Sequence, residues 1–173
     1  LLTRGVAVEG TAILAREKGG ELAGRADPQL LQRAANLLFR PGISVVADAL
    51  AAASAAAVHG MHDPTEGGLI AGLYELAAVA NCGLWVQKER IPVLPETETL
   101  CGLLGLDPLR LIASGTLLIA VAPEDEARVG AALAARGTPV STIGRVVPPE
   151  QGLRLDGTRF GFPERDEITR ILS

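Results

Sequence analysis

The stretch HGMHDPTEGGL, residues 59–69, gathers both histidines of the chain, two acids, a threonine and a pair of glycines. Residues 58–61, which run into this stretch, have the composition of a short strand, and GLIAGLYELAAVA, residues 68–80, predicts an amphipathic helix. The stretch therefore joins a strand to a helix. Such a junction can form a metal site, a plain helix cap or an anion-binding loop.

The first two alternatives leave part of the stretch unexplained. His59, His62 and Asp63 supply too few ligands for zinc, which takes three or four convergent groups, and the chain has no third histidine. A helix cap accounts for Asp63 or Thr65, whose side chains can accept from the first turn. It does not account for Gly67-Gly68, because each glycine costs about 1 kcal/mol inside a helix.

An anion-binding loop explains the glycines directly. Without side chains at a helix start, a ligand can approach the exposed N–H groups, and the helix dipole favours a negative charge. The pattern D-x-T-x-G-G is neither a Walker motif nor GxGxxG. It predicts a substrate- or phosphate-binding loop formed by Asp63, Thr65, Gly67 and Gly68.

Composition excludes several classes of partner. The net charge is −4, basic residues are scattered, and aromatic residues make up 3%, so neither a basic stripe nor a base-stacking surface for nucleic acid is expected. Two cysteines do not make a disulfide framework. No run reaches the roughly 18 apolar residues of a membrane span, and no signal peptide is visible. These features predict a cytoplasmic protein with no membrane partner. The first residues, LLTRG, lack an initiator Met and read as mid-chain.

The remaining pattern predicts an α/β (α+β) fold, with a mixed sheet of about four to six strands covered by helices. Cys101 is expected in the core. Trp85 is expected in the core or at a dimer surface rather than in a ligand-binding platform. The predicted helices are 9–23, a helix capped by Asp27 and opening at Pro28, a helix capped by Ser44, 68–80, 95–105, 107–114, 123–137 and 166–172. The predicted strands are 58–61, 83–93, 116–122 and 140–147, with a hairpin over 152–162.

Three further stretches carry a family resemblance: GVAVEGTAILA (5–15), LCGLLGLDPLRLIASGTLLIAV (100–121) and IGRVV (143–147). In order with HDPTEGGL, they resemble the C-terminal domain of the aminoimidazole ribonucleotide (AIR) synthase, or PurM-like, superfamily. Within it the similarity is greatest to the hydrogenase maturation factor HypE and to AIR synthase-related proteins. The resemblance covers nearly the whole chain.

The resemblance implies a PurM C-terminal-domain-like fold, in which a central mixed sheet of about six strands is flanked by helices. Residues 1–173 would be the second of two domains, and the N-terminal ATP-binding domain would be absent from this sequence. In such proteins the first domain binds ATP through magnesium and pairs into a homodimer. The domain alone is therefore expected to hold no cofactor or metal and to be inactive.

The resemblance also implies where the site lies. Asp63, Thr65, Gly67 and Gly68 would line the cleft between domains, and Glu9 and Thr11 match a second motif near it. Ser114, in the turn before a strand, is either a structural turn or a cleft contact. No catalytic residue is assigned.

The implied function is that of a domain lining the inter-domain cleft of an ATP-using parent. The parent would phosphorylate or activate an amide- or carboxyl-type acceptor. The N–H groups of Gly67-Gly68 would hold an anionic part of the acceptor or a nucleotide phosphate, Asp63 would fix the turn, and Thr65 would add a hydroxyl. The alternative is a non-catalytic dimerisation or protein-interaction domain that retains the fold.

Overall fold

The computed structural model describes residues 1–172 and confirms the α/β class. The helices are α1 (Val8–Glu17), α2 (Gly19–Leu22), α3 (Pro28–Asn36), α4 (Val46–Ala55), α5 (Gly68–Ala80), α6 (Pro95–Leu104), α7 (Glu126–Ala134) and α8 (Thr169–Leu172). The strands are β1 (Leu2–Thr3), β2 (Val58–His62), β3 (Gly83–Val86), β4 (Leu118–Val121), β5 (Val140–Ser141), β6 (Gly144–Val147), β7 (Leu153–Leu155) and β8 (Thr158–Arg159).

The strands form two four-stranded sheets rather than one sheet of about six. The first has the order β2-β4-β1-β5 and the second β6-β3-β7-β8. The predicted strand 140–147 divides between them, because β5 pairs with β1 whereas β6 pairs with β3. Strand β1 was not predicted, since two residues are too few to show an alternating pattern.

Helix α5 packs against the second sheet, and the loop of residues 63–67 leads directly into its first turn. Leu69, Ile70 and Leu73 share a buried apolar cluster with Leu84 and Val86 of β3. A second cluster joins α1 to α6, and a third lies beneath α4 and α7. Burial of this kind contributes about 25 cal/mol per Å² of apolar surface, and it holds the start of α5 in place.

Local capping signals gave one correct and one wrong helix start. Asp27 accepts a hydrogen bond from the Gln29 N–H at 3.1 Å, with Pro28 opening α3, as predicted. Ser44 does not cap α4: the helix begins two residues later, and Val45 at its N-cap makes no side-chain bond.

The predicted helix over 107–114 is wrong. These residues form turns, because other parts of the chain use their backbone groups. The carbonyl oxygens of Leu109 and Ile112 accept from the N–H groups of Ile70 and Gly10, at 3.0 and 3.2 Å. A helix would need those carbonyls for its own hydrogen bonds.

One stretch of the described residues, Leu38–Ala55, is long and apolar enough to cross a membrane by length and composition alone. It is not one continuous helix in the structure. A π-helical turn, Leu38–Gly42, contains Arg40 at a non-helical φ of −143°, and α4 begins only at Val46.

Candidate functional site

The loop of residues 63–67 connects β2 to α5. Gly67 at the end of the loop and Gly68 at the start of α5 adopt positive φ angles, +77° and +64°. A Cβ on Gly68 would lie 2.7 Å from the carbonyl oxygens of Leu109 and Leu111. A Cβ on Gly67 would lie 2.7 Å from the Ala71 Cβ. The groups that come close at these two positions therefore belong to the chain itself: side chains at Gly67 and backbone at Gly68.

The two N–H groups predicted to hold an anion both have acceptors within the protein. The Gly67 N–H donates to Asp166 Oδ2 at 2.6 Å, and the Gly68 N–H donates to the Thr65 carbonyl oxygen at 3.1 Å. In this structure neither N–H group is open to an external phosphate. The anion at the loop is the carboxylate of Asp166.

Asp166 is a residue of the site that the sequence did not reveal. Its side chain is buried, and Oδ1 also accepts from the N–H groups of Ile112 (3.2 Å) and Ile168 (2.7 Å). One carboxylate therefore ties the loop, the 107–114 turns and the C-terminal segment together. Asp166 is the first residue of the predicted helix 166–172, and an aspartate in that position is typical of a helix cap. No local pattern predicts its hydrogen bond to Gly67, which is 99 residues away.

The structure brings the three sequence motifs into contact. The Glu9 N–H donates to the Ser114 carbonyl oxygen, and the Ala113 N–H donates to the Thr65 carbonyl oxygen, both at 3.2 Å. Gly10 makes the close approach possible, because a Cβ there would lie 2.5 Å from Leu111 Cγ. The start of α1, the loop after β2 and the turn before β4 therefore form one continuous surface.

This surface is polar and acidic. Asp63, Thr65 and Glu66 are exposed, and Glu9 and Ser114 are half-buried. We call these five residues the loop cluster. Its hydroxyl groups can donate or accept, whereas its carboxylates can only accept when ionised.

Two of the predicted roles need correction. Asp63 was expected to hold the turn, but within residues 1–172 its carboxylate accepts no hydrogen bond, and its nearest charged contact is His62 Nδ1 at 4.0 Å. Asp166 holds the turn instead. Thr11 was expected in the cleft, but it is fully buried: its hydroxyl donates to the Ala7 carbonyl oxygen and meets Thr97 Oγ1, both at 2.7 Å.

The two histidines do not act as a ligand pair, and only His62 has a side-chain partner among the described residues. His62 Nε2 lies 2.6 Å from Glu75 Oε2 on α5, and His59 is exposed. Among the described residues, no three His, Cys, Asp or Glu side chains converge on one point. The stretch therefore offers no three-ligand set of the kind that zinc takes.

Cys101 lies in the core, as predicted. Burial raises the pKa of its thiol to about 12, and the carboxylates of Asp107 and Glu167 add to the effect. A thiol with such a pKa stays protonated at neutral pH, so Cys101 is no nucleophile.

Known proteins resemble this chain over most of its length. Residues 1–156 match the family described as AIR synthase related protein, C-terminal domain. The carbamoyl dehydratase HypE of Rhodobacter capsulatus is 38% identical over 119 residues, which are 68% of this chain and 34% of that protein. A thiamine-monophosphate kinase of Halobacterium salinarum is 36% identical over 127 residues, 71% of this chain and 40% of that protein.

Solved structures give the same result for the fold. The crystal structure of E. coli HypE superposes with a TM-score of 0.72 and 26% identity, over 98% of this chain and 51% of that one. Thiamine monophosphate kinase from Aquifex aeolicus has a TM-score of 0.65 at 18% identity, over 92% of this chain and 50% of that one, and shows the fold alone. The chain spans about half the length of these solved relatives.

Proposed function

This chain belongs to the AIR synthase related protein family, whose C-terminal domain it matches, and on that premise we propose that it lines the inter-domain cleft of a larger, HypE-like protein. In that protein ATP would phosphorylate or activate an oxygen of an amide- or carboxyl-type acceptor. The name of one relative, a carbamoyl dehydratase, is consistent with an amide-type acceptor oxygen, and that of another, a thiamine-monophosphate kinase, is consistent with phosphoryl transfer. A cytoplasmic homodimer is part of the same proposal.

The observation that supports this proposal most is the loop cluster. Backbone hydrogen bonds connect the segment of Ser114 to Glu9 and to Thr65. The side chains of Glu9, Thr65 and Ser114 stay at least partly accessible. The buried carboxylate of Asp166 fixes the loop by accepting hydrogen bonds from the N–H groups of Gly67 and Ile112. Groups held by rigid hydrogen bonds lose little entropy when a ligand binds, which is the property a positioning site needs.

The charges of the loop cluster indicate which part of the acceptor it would contact. Glu9, Asp63 and Glu66 carry negative charge, and the N–H groups of the glycine pair are already used. A free phosphate would be repelled, whereas the N–H groups of an amide would find acceptors. We therefore assign the cluster to the acceptor and its hydroxyl groups, Thr65 and Ser114, to orienting it.

ATP and magnesium belong to the proposal through the family resemblance. Magnesium prefers several oxygen ligands in octahedral geometry, and residues 1–172 contain no convergent group of three acidic side chains. The family resemblance implies that the ion is held by the first of the two domains, outside this one. Positioning of the acceptor is the part of phosphoryl transfer that this domain can contribute.

The test uses the full-length protein with Thr65→Val and Glu9→Gln. Each change keeps the backbone hydrogen bonds and removes one polar contact, so kcat/KM for the acceptor should fall about tenfold or more, while the KM for ATP stays the same. Thr158→Val on β8, exposed and remote from the cluster, is the matched control. Unchanged acceptor kinetics in both variants would reject the proposed site.

A second candidate function rests on a different surface. Phe39, Val46 and Leu50 are 72, 65 and 64% exposed around the start of α4, and exposed apolar groups of this size are typical of interaction surfaces. They favour a dimerisation or protein-interaction domain. If the full-length protein shows no ATP-dependent turnover, and if it self-associates through this surface, this second function applies instead.

A further inference from the structure

The outer face of the second sheet carries an unexpected row of side chains. The strand register places Trp85 of β3 opposite Arg145 of β6 on one side and opposite Arg154 of β7 on the other. Arg154 in turn lies opposite Arg159 of β8. Neighbouring strands are about 4.8 Å apart, so three arginines and one tryptophan stand side by side. We call them the Trp85 row.

The arginines of this row are not neutralised by ion pairs. Within residues 1–172, no carboxylate lies within 4.0 Å of Arg145, Arg154 or Arg159. Arg145 instead stacks on the Trp85 ring, with its Cζ 4.8 Å from the ring centroid. Arg154 is held by backbone carbonyls, donating to Gln151 at 3.3 Å and to Gly157 at 2.8 Å. Its guanidinium is therefore oriented while N–H donors remain unused.

The row borders a hollow of about 1260 Å³. Arg90 and Gln87 also line it, beside Trp85, Arg145 and Arg154. None of its lining residues belongs to the loop cluster or to the segments that hold that cluster. The hollow is thus separate from the proposed acceptor site.

Acidic residues limit what the hollow can bind. Glu126, Glu150 and Asp156 line it too, against three arginines, so its net charge is near zero. Two of these carboxylates have protein partners: Glu126 accepts from Thr142 Oγ1 at 2.6 Å, and Asp156 accepts from the Lys88 N–H at 3.0 Å. A polyanionic strand would gain little attraction here. A ligand with one anionic group can meet the arginines and offer hydroxyl groups to the carboxylates.

We propose that this hollow binds a small phosphorylated ligand with a flat ring, of the mononucleotide class. The ring stacks on the Arg145 guanidinium, which itself lies over the Trp85 ring, through dispersion and cation–π attraction. The phosphate binds Arg154 and Arg90, because charge-assisted hydrogen bonds to guanidinium groups are short and strong. Sugar hydroxyl groups donate to Glu150 or Glu126.

Trp85 is the only tryptophan of the chain, so its fluorescence reports on this site alone. Titration with AMP should quench the emission to saturation, and inorganic phosphate should compete. Adenosine, which lacks the phosphate, should bind about tenfold more weakly or worse, since a charge-assisted bond contributes roughly a factor of ten.

Single arginine substitutions test whether AMP binds in this hollow. Arg154→Gln and Arg145→Gln should each weaken AMP binding about tenfold, while Arg136→Gln, an exposed arginine outside the hollow, should not. Arg145 is exposed, so its variant tests the proposal even if Arg154→Gln unfolds. An absence of saturable quenching, or equal affinity for AMP and adenosine, or an unchanged affinity in Arg145→Gln, would overturn it.

One control separates this inference from the proposed acceptor site. Thr65→Val should leave the Trp85 response to AMP unchanged, because Thr65 does not line the hollow. If AMP binding is lost in Thr65→Val, the assignment of the ligand to the Trp85 row is wrong. Failure of either proposal can thus be recognised without reference to the other.

Discussion

Gly68 shows how a single side-chain-free position is used. The sequence suggested that something approaches the backbone at the glycine pair, and the carbonyl oxygens of Leu109 and Leu111 occupy the space where its Cβ would be. Gly67 completes the arrangement by donating to the buried Asp166 carboxylate. The loop is therefore preorganised by internal contacts rather than left open for an anion.

Gly68→Ala should destabilise the fold by about 3 kcal/mol, because it combines a left-handed backbone with a Cβ 2.7 Å from two carbonyl oxygens. Gly137→Ala is the matched control: its φ is +74°, but no atom lies within 4 Å of the added Cβ. It should cost only about 1 kcal/mol for the left-handed conformation. Urea denaturation of both variants measures the difference. Equal losses would show that the contact with 109–111 contributes nothing.

At the scale of elements, side-chain hydrogen bonds connect helices and strands that no backbone hydrogen bond joins within residues 1–172. Arg4, just after β1, donates to the carbonyl oxygens of Gly42 and Ser44 and pairs with Asp48 of α4 at 2.7 Å. Asp48 also accepts from Thr138 Oγ1 at 2.8 Å. This buried network joins β1, α4 and the segment before β5, which explains how α4 is placed without a capping side chain.

Asp48→Ala should lower the free energy of unfolding by about 3 kcal/mol, because it leaves the mostly buried Arg4 guanidinium without its counter-ion. The control is Arg33→Ala, which breaks an ion pair with Glu96 in which the arginine is 56% exposed. That loss should stay below about 1 kcal/mol. Thermal and urea denaturation test the contrast, and comparable losses would contradict the assigned importance of burial.

At the scale of the whole molecule, one apolar cluster joins the two sheets: it contains Leu2 of β1 and Leu118 of β4 beside Leu84 and Val86 of β3. The structure differs from the expected single sheet because β5 and β6, only two residues apart, pair with strands of different sheets, β1 and β3. The Cys101 thiol lies in the cluster between α1 and α6. Its protonation therefore depends on the packing of this cluster.

Burial raises the pKa of Cys101 to about 12, above the ordinary value of 9.0. The folded state thus binds the thiol proton more tightly than the unfolded state, and this stabilisation is complete below pH 9. The free energy of unfolding should then fall by about 1.4 kcal/mol per pH unit as the pH rises towards 12. Cys101→Ala should show a flatter alkaline decline in chemical denaturation. Identical slopes in both proteins would contradict the buried thiol as the cause.

The sequence by itself determined the features that depend on neighbouring residues. The α5 helix, the Asp27 cap and the hairpin of β7 and β8 were predicted, because periodicity, capping and turn residues act within a few positions. The sequence also singled out Glu9 and Thr65 as candidate site residues and Ser114 as either a turn or a cleft contact, and the structure brings their segments together.

Only the tertiary structure decided which distant groups meet. The Asp166 carboxylate accepts from Gly67, 99 residues away in sequence. Carbonyl groups of the 107–114 segment accept from other elements instead of forming a helix. The Thr11 side chain lies in the core. The Trp85 row likewise draws on four strands, so arginines that are scattered along the chain become neighbours through register alone. Local propensity carries no information about such contacts, since they arise from the packing of whole elements.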